Sequence, residues 1–262
     1  MLVLIRGAGD LASGIALRLF HAGLSVVMTE IARPTTIRRT VAFSQAVAQG
    51  KTQVEDVTAR LCQVEDVAGV LAAGEIPVLV DPEAAAISVL KPRVVVDAIL
   101  AKKNLGTAIT DAPVVIGVGP GFTAGVDCHA VVETMRGHTL GRVIWNGSAL
   151  PNTNIPGLIG GFAGEGVLRA PADGVFQPAV EIGALVKAGD VGGYVGKAAM
   201  VCTIGGVLRG ILPPDTPVRK GMKSGDVDPR GCVENCTTAS DKALAIGGGV
   251  LEAILQKTGV LR

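Results

Sequence analysis

Short apolar runs recur along the first part of the chain and alternate with longer stretches of helical period. Runs with the length and β-branched composition of strands lie at residues 2–5, 25–29, 76–80, 93–97, 113–118 and 142–145. Between the first two, Leu11, Ile15 and Leu19 recur at helical spacing, and Gly23 stands where that helix would end. Strands that alternate with helices are typical of a parallel sheet. We therefore predict an α/β domain over residues 1–160, built on a Rossmann-like parallel sheet.

The stretch GAGDLASG follows the first predicted strand and has the spacing of a phosphate-binding turn. Gly7 and Gly9 take the first two glycine places of the GxGxxG pattern, and Ala12 takes the third. Glycine allows the tight turn and the close approach of a pyrophosphate, whose charge the N–H groups at the helix start would meet. Glu30 follows the second predicted strand, where a carboxylate can accept hydrogen bonds from ribose hydroxyls. These features predict a dinucleotide-type site.

Asp10 argues against this site because it places an acid where an anionic ligand should rest. Its side chain could instead cap the helix, in which case the turn would serve packing. Arg38 and Arg39 follow at the start of a second predicted helix, which Thr35 or Thr36 would cap. The two guanidinium groups could clamp phosphate, or they could form only a solvated helix end.

Ligands of open parallel sheets bind beyond the carboxyl ends of the strands, so the loops after the later strands are further candidates. The fourth predicted strand ends at Asp97, and Lys102 and Asn104 follow on the same loop. The fifth predicted strand leads into a turn that contains Gly119 and Gly121. We predict that these residues line the ligand site, with Asp97 as a candidate catalytic acid or base.

A thiol and an imidazole are adjacent at Cys128 and His129, in the first turn of a helix that Asp127 is expected to cap. Such surroundings depress the pKa of a thiol, which makes the pair a candidate for nucleophilic catalysis. The alternative is a buried cysteine beside a histidine that only forms a hydrogen bond. Because the remaining cysteines are scattered and Cys232 with Cys236 has no second cluster, no metal site is predicted.

The sequence changes character after residue 146, where proline, glycine and asparagine become frequent and mark a linker or loop. Two segments within residues 161–230 then share an ordered pattern of VLR, a glycine turn, VxxG and a GD dipeptide. This duplication resembles the barrel-sandwich module of biotinyl and lipoyl carriers, although the span around Lys197 lacks an MKM-like tip. We predict a structural or docking β-domain of this kind rather than a carrier.

The last predicted element is a helix within residues 231–262 that begins after Ser240 and returns to the first domain. Three adjacent glycines, Gly247–Gly249, lie inside it. Because adjacent glycines destabilise a helix, they indicate either a close backbone approach or a break where something is bound.

Composition and charge narrow the classes of partner. The formal net charge is +1 and aromatic residues make up 3% of the chain, which provides neither the field nor the stacking surfaces that nucleic-acid binding uses. The apolar start is too short for a signal peptide or a membrane span, so a cytoplasmic protein without a membrane partner is predicted. Hydrophobic residues make up 48%, which favours a homo-oligomer.

Six segments, in order, carry a resemblance to a known family: IRGAGDLASGIA, RPTTIRRTVAF, VDAILAKKNLGT, GPGFTAGVDCHAVVETMRGHTLGRVI, VLRAPADGVF and SDKALAIGGGVLEAIL. The chain resembles the selenium-dependent molybdenum cofactor biosynthesis protein YqeB family, also called molybdenum hydroxylase system proteins. The resemblance implies an accessory role in the maturation of molybdenum hydroxylases, with the hydroxylase apoenzyme as partner. By analogy with proteins that insert sulfurated cofactor, it implies molybdenum cofactor as the ligand, such as molybdopterin cytosine dinucleotide, rather than NAD.

Three interpretations remain open. In the first, an accessory protein binds molybdenum cofactor or a related nucleotide: Arg38, Arg39 and Lys102 hold phosphates, Glu30 holds the ribose, and Cys128 carries sulfur or selenium. In the second, the chain is an NAD-dependent oxidoreductase, although no clear acid–base pair for hydride transfer is evident. In the third, it is a non-catalytic scaffold whose β-domain docks a partner.

Overall fold

The structure is a computed structural model that describes residues 1–153, 161–162 and 164–259. The chain divides into two compact units. The first comprises Met1–Pro34, Ala42–Asn152 and the described residues from Ala239 onward. The second comprises Thr35–Val41 and the described residues of Thr153–Thr238. A short segment from early in the sequence therefore belongs to the second unit.

A long mixed sheet forms the frame of the first unit. The described strands of this unit are β1 Leu2–Arg6, β2 Ser25–Glu30, β3 Lys51–Val54, β4 Val57–Leu61, β5 Ile76–Val80, β6 Val94–Asp97, β7 Val114–Val118, β8 Thr123–Ala124, β9 Ala130–Val132, β10 Val143–Ile144 and β11 Gly147–Ser148. Within the described residues the main sheet has the order β10-β9-β7-β6-β1-β2-β5-β4-β3, and β8 pairs separately with β11. The pairs β3–β4 and β9–β10 are antiparallel, and the pairs between them are parallel.

The central strands are continuous apolar runs, as expected for parallel strands that are buried on both faces. The predicted strands at residues 2–5, 76–80, 93–97 and 113–118 are confirmed as β1, β5, β6 and β7. The helices of the first unit are α1 Asp10–His21, α2 Gln45–Gln49, α3 Val67–Ala72, α4 Ala86–Leu90 and α5 Asp241–Thr258. Because β7, β6, β1 and β2 are parallel neighbours in the main sheet, their carboxyl ends lie side by side.

Helices α1 and α5 pack closely through small residues. A side chain at Gly14 would place its Cβ 2.5 Å from the Cβ of Ala243, and one at Gly247 would lie 2.9 Å from the carbonyl oxygen of Gly14. The predicted cap Ser240 is confirmed, since its hydroxyl accepts a hydrogen bond from Ala243 N at 3.2 Å. Helix α5 is continuous through its three glycines, so they do not mark a break. Gly247 and Gly249 allow close approach of other backbone, whereas a Cβ on Gly248 would meet nothing within 4 Å.

The second unit consists of short antiparallel strands. They are β12 Val167–Arg169, β13 Gly174–Pro178, β14 Leu185–Val186, β15 Val191–Val195, β16 Ala198–Val201, β17 Gly206–Ile211, β18 Thr216–Val218 and β19 Lys223–Asp228. Its described strands form two sheets, β12-β19-β17-β14 and β16-β15-β13-β18. Leu168, Phe176 and Leu208 are fully or almost fully buried in its core. The segment Thr35–Val41 joins this unit, where Ile211 N donates to the carbonyl oxygen of Ile37 at 2.8 Å.

The predicted fold class, a Rossmann-like domain followed by a biotinyl- or lipoyl-like barrel-sandwich, is wrong. In the described part of the first unit, the connections from β6 to β7 and from β7 to β9 contain no helix, and an antiparallel strand lies at each edge of the main sheet. The second unit draws in Thr35–Val41 and is not a contiguous β-module. The protein is a mixed α/β structure with several sheets. Apolar strand periodicity predicted the central strands, but the covering of those strands depends on loop contacts that periodicity does not encode.

Candidate functional site

The turn after β1, which we call the glycine turn, comprises Gly7–Gly9 and lies at the carboxyl edge of the main sheet. Gly7 has a φ of 96°, and a Cβ there would lie 3.0 Å from the carbonyl oxygen of Ala98. Glycine is therefore required both by the backbone conformation and by the loop that follows β6. Gly7 N donates to the carbonyl oxygen of Thr29 at 2.8 Å, which fixes the turn beside β2.

Helix α1 begins directly after the glycine turn. Gly9 is its N-cap, without a side-chain cap hydrogen bond, and Asp10 is its first residue. The helical hydrogen bonds begin with Ser13 N, which donates to the carbonyl oxygen of Gly9 at 2.8 Å. The N–H groups of the first turn precede this ladder and carry the positive end of the helix dipole. Ala12, in the third glycine place, is buried.

Glu30 ends β2 and closes the glycine turn. Its Oε2 accepts a hydrogen bond from Ala8 N at 3.0 Å, and its Oε1 accepts one from Ile31 N at 2.8 Å. Burial raises the pKa of Glu30 above its usual value near 4.5, although both hydrogen bonds act to lower it. The carboxylate predicted to meet a ribose therefore also holds the backbone of the turn.

A buried ion pair lies beneath the glycine turn. Arg6 and Asp97 are register partners on β1 and β6, and Arg6 Nη1 lies 3.4 Å from Asp97 Oδ2. The hydroxyl of Thr107 donates to the same carboxylate oxygen at 2.6 Å and accepts a hydrogen bond from Arg6 Nη1. Arg6 Nη2 donates to the carbonyl oxygen of Leu105 at 3.2 Å. Asp97 is thus engaged in holding the loop after β6, which is a different role from the predicted acid–base catalysis.

Asn104 extends this network to the next loop. Its Oδ1 accepts from Thr107 N at 2.8 Å, and its Nδ2 donates to Thr107 O at 2.8 Å and to Asp127 Oδ1 at 3.3 Å. Asp127 in turn accepts from Thr123 N at 2.7 Å. These hydrogen bonds tie the loops after β6 and β7 together at the carboxyl edge.

The remaining predicted residues of these loops lie at the same edge. Lys102 is exposed and has a left-handed φ of 63°. Gly119 and Gly121 follow β7 with φ values of 81° and 113°. A Cβ on Gly121 would lie 2.7 Å from the Cα of Lys103, so the loops after β6 and β7 are in contact. The structure therefore brings the glycine turn, Glu30, Asp97, Lys102, Asn104, Gly119 and Gly121 to one edge of one sheet.

Cys128 and His129 do not form the predicted nucleophilic pair at a helix start. No helix begins at Asp127, and Cys128 instead forms an isolated bridge with Ala124. Cys128 is fully buried in an apolar cluster, and this burial raises the pKa of its thiol to about 11. His129 Nδ1 accepts a hydrogen bond from Val115 N at 3.0 Å, near the amino end of β7, and burial lowers the pKa of the imidazole. The alternative interpretation of the sequence, a buried thiol beside a histidine that only forms a hydrogen bond, describes both residues.

Arg38 and Arg39 belong to the second unit and do not begin an α-helix. A short 3₁₀ turn, Arg39–Val41, replaces the predicted helix. Arg38 Nη2 donates to the carbonyl oxygen of Asn235 at 3.0 Å, and Arg39 Nε donates to that of Ile211 at 2.9 Å. Both guanidinium groups thus bind backbone carbonyls of the second unit, which is a different role from the predicted phosphate clamp.

Two residues at the edge were missed by the sequence analysis. Thr107 is buried and joins Asp97 to the loop, yet a single threonine in a polar loop carries no recognisable pattern. Glu133, directly after β9, is also buried: it accepts hydrogen bonds from Thr134 N and Met135 N, each at 2.7 Å, and from Leu150 N at 2.8 Å. A helix, and not a strand, was predicted to follow Asp127, so the sequence offered no strand end that would mark Glu133.

Two general features complete the description. In the described part of the chain, no group of three or more histidine, cysteine or acidic side chains is arranged to hold a metal ion. None of the helices there combines the length and apolar character that crossing a membrane requires.

Comparison with known proteins extends this picture. No protein-family model matches the chain. A protein from Escherichia coli (strain K12), named "Uncharacterized protein YqeB", is 54% identical over 255 residues, which is 97% of this chain and 47% of that protein. The resemblance to YqeB is confirmed. The chain spans about half the length of YqeB, so YqeB contains a comparable length of sequence outside the match.

Solved structures are much more distant than YqeB. An aspartoacylase family protein from Mesorhizobium loti covers 86% of the chain and 84% of its own length, with 10% identity and a TM-score of 0.28. The ectoine utilization protein EutE (DoeB) from Ruegeria pomeroyi also covers 86% of the chain and 84% of its own length, with 11% identity and a TM-score of 0.27. These scores are too low to assign a fold.

Proposed function

We propose that the first unit binds an anionic, nucleotide-type ligand at the carboxyl edge of its main sheet. The observation that carries this proposal is the meeting of the glycine turn and the start of α1 with the loop that presents Lys102. Amide N–H groups at a helix start and a lysine ammonium group are the donors that phosphate oxygens accept from. Gly9 has no side chain that would cover the helix start, and an anion there would bind beside the carboxylate of Asp10, the first residue of α1.

The carboxylate of Glu30 favours a ligand with free ribose hydroxyls. Each of its oxygens accepts one backbone hydrogen bond and retains further lone pairs that hydroxyl groups can use. An ionised 2′-phosphate at the same place has no hydrogen to donate to these oxygens. We therefore expect nucleotides with an unmodified ribose to bind and their 2′-phosphorylated analogues not to bind.

We further propose that this ligand is molybdenum cofactor or a related nucleotide, such as molybdopterin cytosine dinucleotide, and that the protein delivers it to a molybdenum hydroxylase apoenzyme. The support for this part of the proposal is the resemblance of the sequence motifs to the selenium-dependent molybdenum cofactor biosynthesis protein YqeB family. The relative of 54% identity is itself named only as an uncharacterized YqeB protein. The donors at the carboxyl edge suit the pyrophosphate of such a dinucleotide. The buried thiol of Cys128 has no part in the proposal.

The experiment is to purify the protein anaerobically from cells that make molybdenum cofactor and to identify the released small molecules by mass spectrometry. We expect a cytosine nucleotide derived from the cofactor, and less of it from the variant K102A/K103A. Lys187→Ala, which removes an exposed lysine of the second unit, is the matched control and should retain the ligand. Copurification of NAD alone, or equal ligand in all three proteins, would contradict the proposal.

A further inference from the structure

The loop that follows β6 crosses the carboxyl edge between the glycine turn and the turn that contains Gly119 and Gly121. We call residues 98–107 the edge loop. Its first residues lie over the glycine turn, since a Cβ on Gly7 would be 3.0 Å from Ala98 O and 3.2 Å from the Cα of Ile99. Further along, a Cβ on Gly121 would be 2.7 Å from the Cα of Lys103. A side chain at either glycine would push the edge loop away, so its path is fixed by backbone contact at two points.

Buried side chains anchor the inner side of the edge loop. Arg6, Asp97 and Thr107 are each less than a tenth exposed. Thr107 Oγ1 donates to Asp97 Oδ2 at 2.6 Å, and Arg6 Nη2 donates to Leu105 O at 3.2 Å. Asn104 adds a reciprocal pair of hydrogen bonds with the backbone of Thr107, each at 2.8 Å. The far end of the loop is therefore held by hydrogen bonds to buried charges.

The outer side of the edge loop has the opposite character. Leu100 and Lys102 adopt left-handed backbone conformations, with φ values of 61° and 63°, which non-glycine residues keep only where the surrounding structure holds them. Lys102 and Lys103 are exposed, and neither forms an ion pair with a described residue. The anchors thus hold a constrained loop whose two adjacent ammonium groups lack an internal partner in the part of the chain that the structure describes.

We infer that Thr107, together with Arg6 and Asn104, positions the edge loop so that Lys102 and Lys103 meet the phosphate groups of the ligand at the glycine turn. These anchors are positioning residues: they act on the ligand through the two lysines and do not touch it. The inference rests on the proposed function and adds the residues that set phosphate affinity. It requires that the hydroxyl of Thr107 and the charges of the lysines act as one unit.

The test is the affinity of the full chain for cytidine 5′-diphosphate (CDP), measured by calorimetry at several KCl concentrations. K102A/K103A should lower the affinity about tenfold or more, because two charge-assisted contacts are lost, and should flatten its salt dependence. Thr107→Val, which keeps the shape and removes the hydroxyl, should lower the affinity to a similar degree. Thr107→Ser, which keeps the hydroxyl, should restore it.

A double-mutant cycle separates positioning from a general loss of structure. If Thr107 acts through the lysines, adding K102A/K103A to Thr107→Val lowers the affinity little further, whereas independent effects would add. Asn104→Ala provides a second anchor variant, with the same expected coupling, in case Thr107→Val does not fold. Additive effects, or unchanged CDP binding in a folded anchor variant, would overturn the inference alone. Absence of CDP binding by the unmodified chain would overturn the proposed function and this inference with it.

Discussion

Each unit contains a buried arginine that pairs with aspartate on a neighbouring strand, but the two clusters are satisfied to different degrees. In the second unit, Arg209 donates from Nε and Nη2 to Asp226 at 2.8 and 2.6 Å and from Nη1 to Asp228 at 3.1 Å. In the first unit, Arg6 lies 3.4 Å from Asp97, and its buried Nε has no hydrogen-bond partner among the described residues. The same residue chemistry is used in two different ways.

The difference follows from what each carboxylate holds. Asp226 and Asp228 both lie on β19, next to the strand of Arg209, so this cluster braces two strands of one sheet. Asp97 instead accepts its shortest hydrogen bond from Thr107, which lies in a loop. The fully satisfied cluster of Arg209 stabilises a sheet. The carboxylate of Asp97, which Arg6 and Thr107 share, instead ties a loop to the edge at which we propose that the ligand binds.

The largest expected effect is in the satisfied cluster. Arg209→Leu leaves Asp226 and Asp228 buried with only part of their compensation, so the free energy of unfolding should fall by about 3 kcal/mol. Urea denaturation followed by circular dichroism measures this change. Arg169→Leu, which removes an exposed arginine of the same unit, should change stability by no more than about 0.5 kcal/mol. Equal losses in the two variants would show that the Arg209 cluster does not stabilise the sheet.

A smaller loss of stability is expected at the edge of the first unit. Thr107→Val removes a hydrogen bond to a buried carboxylate and should cost about 2 kcal/mol, more than the roughly 1 kcal/mol of a neutral hydrogen bond. Thr216→Val in the second unit is the matched control, because the Thr216 hydroxyl donates to the neutral carbonyl of Pro213 at 2.7 Å. Thermal unfolding of both variants compares them. A Thr107 variant as stable as the unmodified protein would show that Asp97 does not hold the loop through this hydroxyl.

The smallest expected effect is on titration, where carboxylates of the two units should shift in opposite directions. Burial raises the pKa of Glu30 above 4.5, so its contribution to stability is present below that pH and is lost as pH rises through its folded pKa. Burial also acts to raise the pKa of Asp228, but hydrogen bonds from Arg230 and the charge of Arg209 outweigh it and hold the pKa below 3.8. The contribution of Asp228 is therefore present above that pH and is lost as pH falls through its folded pKa.

Carbon-13 NMR of the side-chain carboxyl groups measures both pKa values directly. Glu30→Gln and Asp228→Asn assign the two signals. Shifts of the same sign in Glu30 and Asp228 would contradict the contrast between a carboxylate that closes a turn and one that lies between two arginines.

The sequence predicted the central strands β1, β2, β5, β6 and β7, because each is a short β-branched run bounded by glycine, proline or charge. Strand β9 lies where a helix was predicted. The predicted strand at residues 76–80 matches β5 to the residue. The hairpin of β3 and β4 was not predicted, because Lys51–Val54 has only four residues and a single apolar one, Val54. Pairing of such a hairpin at a sheet edge depends on the tertiary context.

The candidate site was predicted in part, because parallel strands bring their carboxyl ends to one edge whatever the loops do. This rule placed Asp97 at the end of β6 and Asn104 on the loop that follows, at the same edge as the glycine turn. It could not indicate that the carboxylate of Asp97 would accept a hydrogen bond from Thr107. Nor could it indicate that Cys128 would be buried, since burial depends on contacts distant in sequence. Arg38 and Arg39 were predicted as a phosphate clamp, but their segment joins the second unit, where both bind backbone carbonyls.

The central claim is that an anionic nucleotide binds where the glycine turn meets α1, and amide NMR during a CDP titration tests it most directly. We predict that the backbone amide signals of Gly9, Leu11 and Ala12, together with those of Lys102 and Lys103, shift most and saturate with one dissociation constant. Saturable shifts confined to amides of the second unit, or no shifts at the start of α1, would contradict the account.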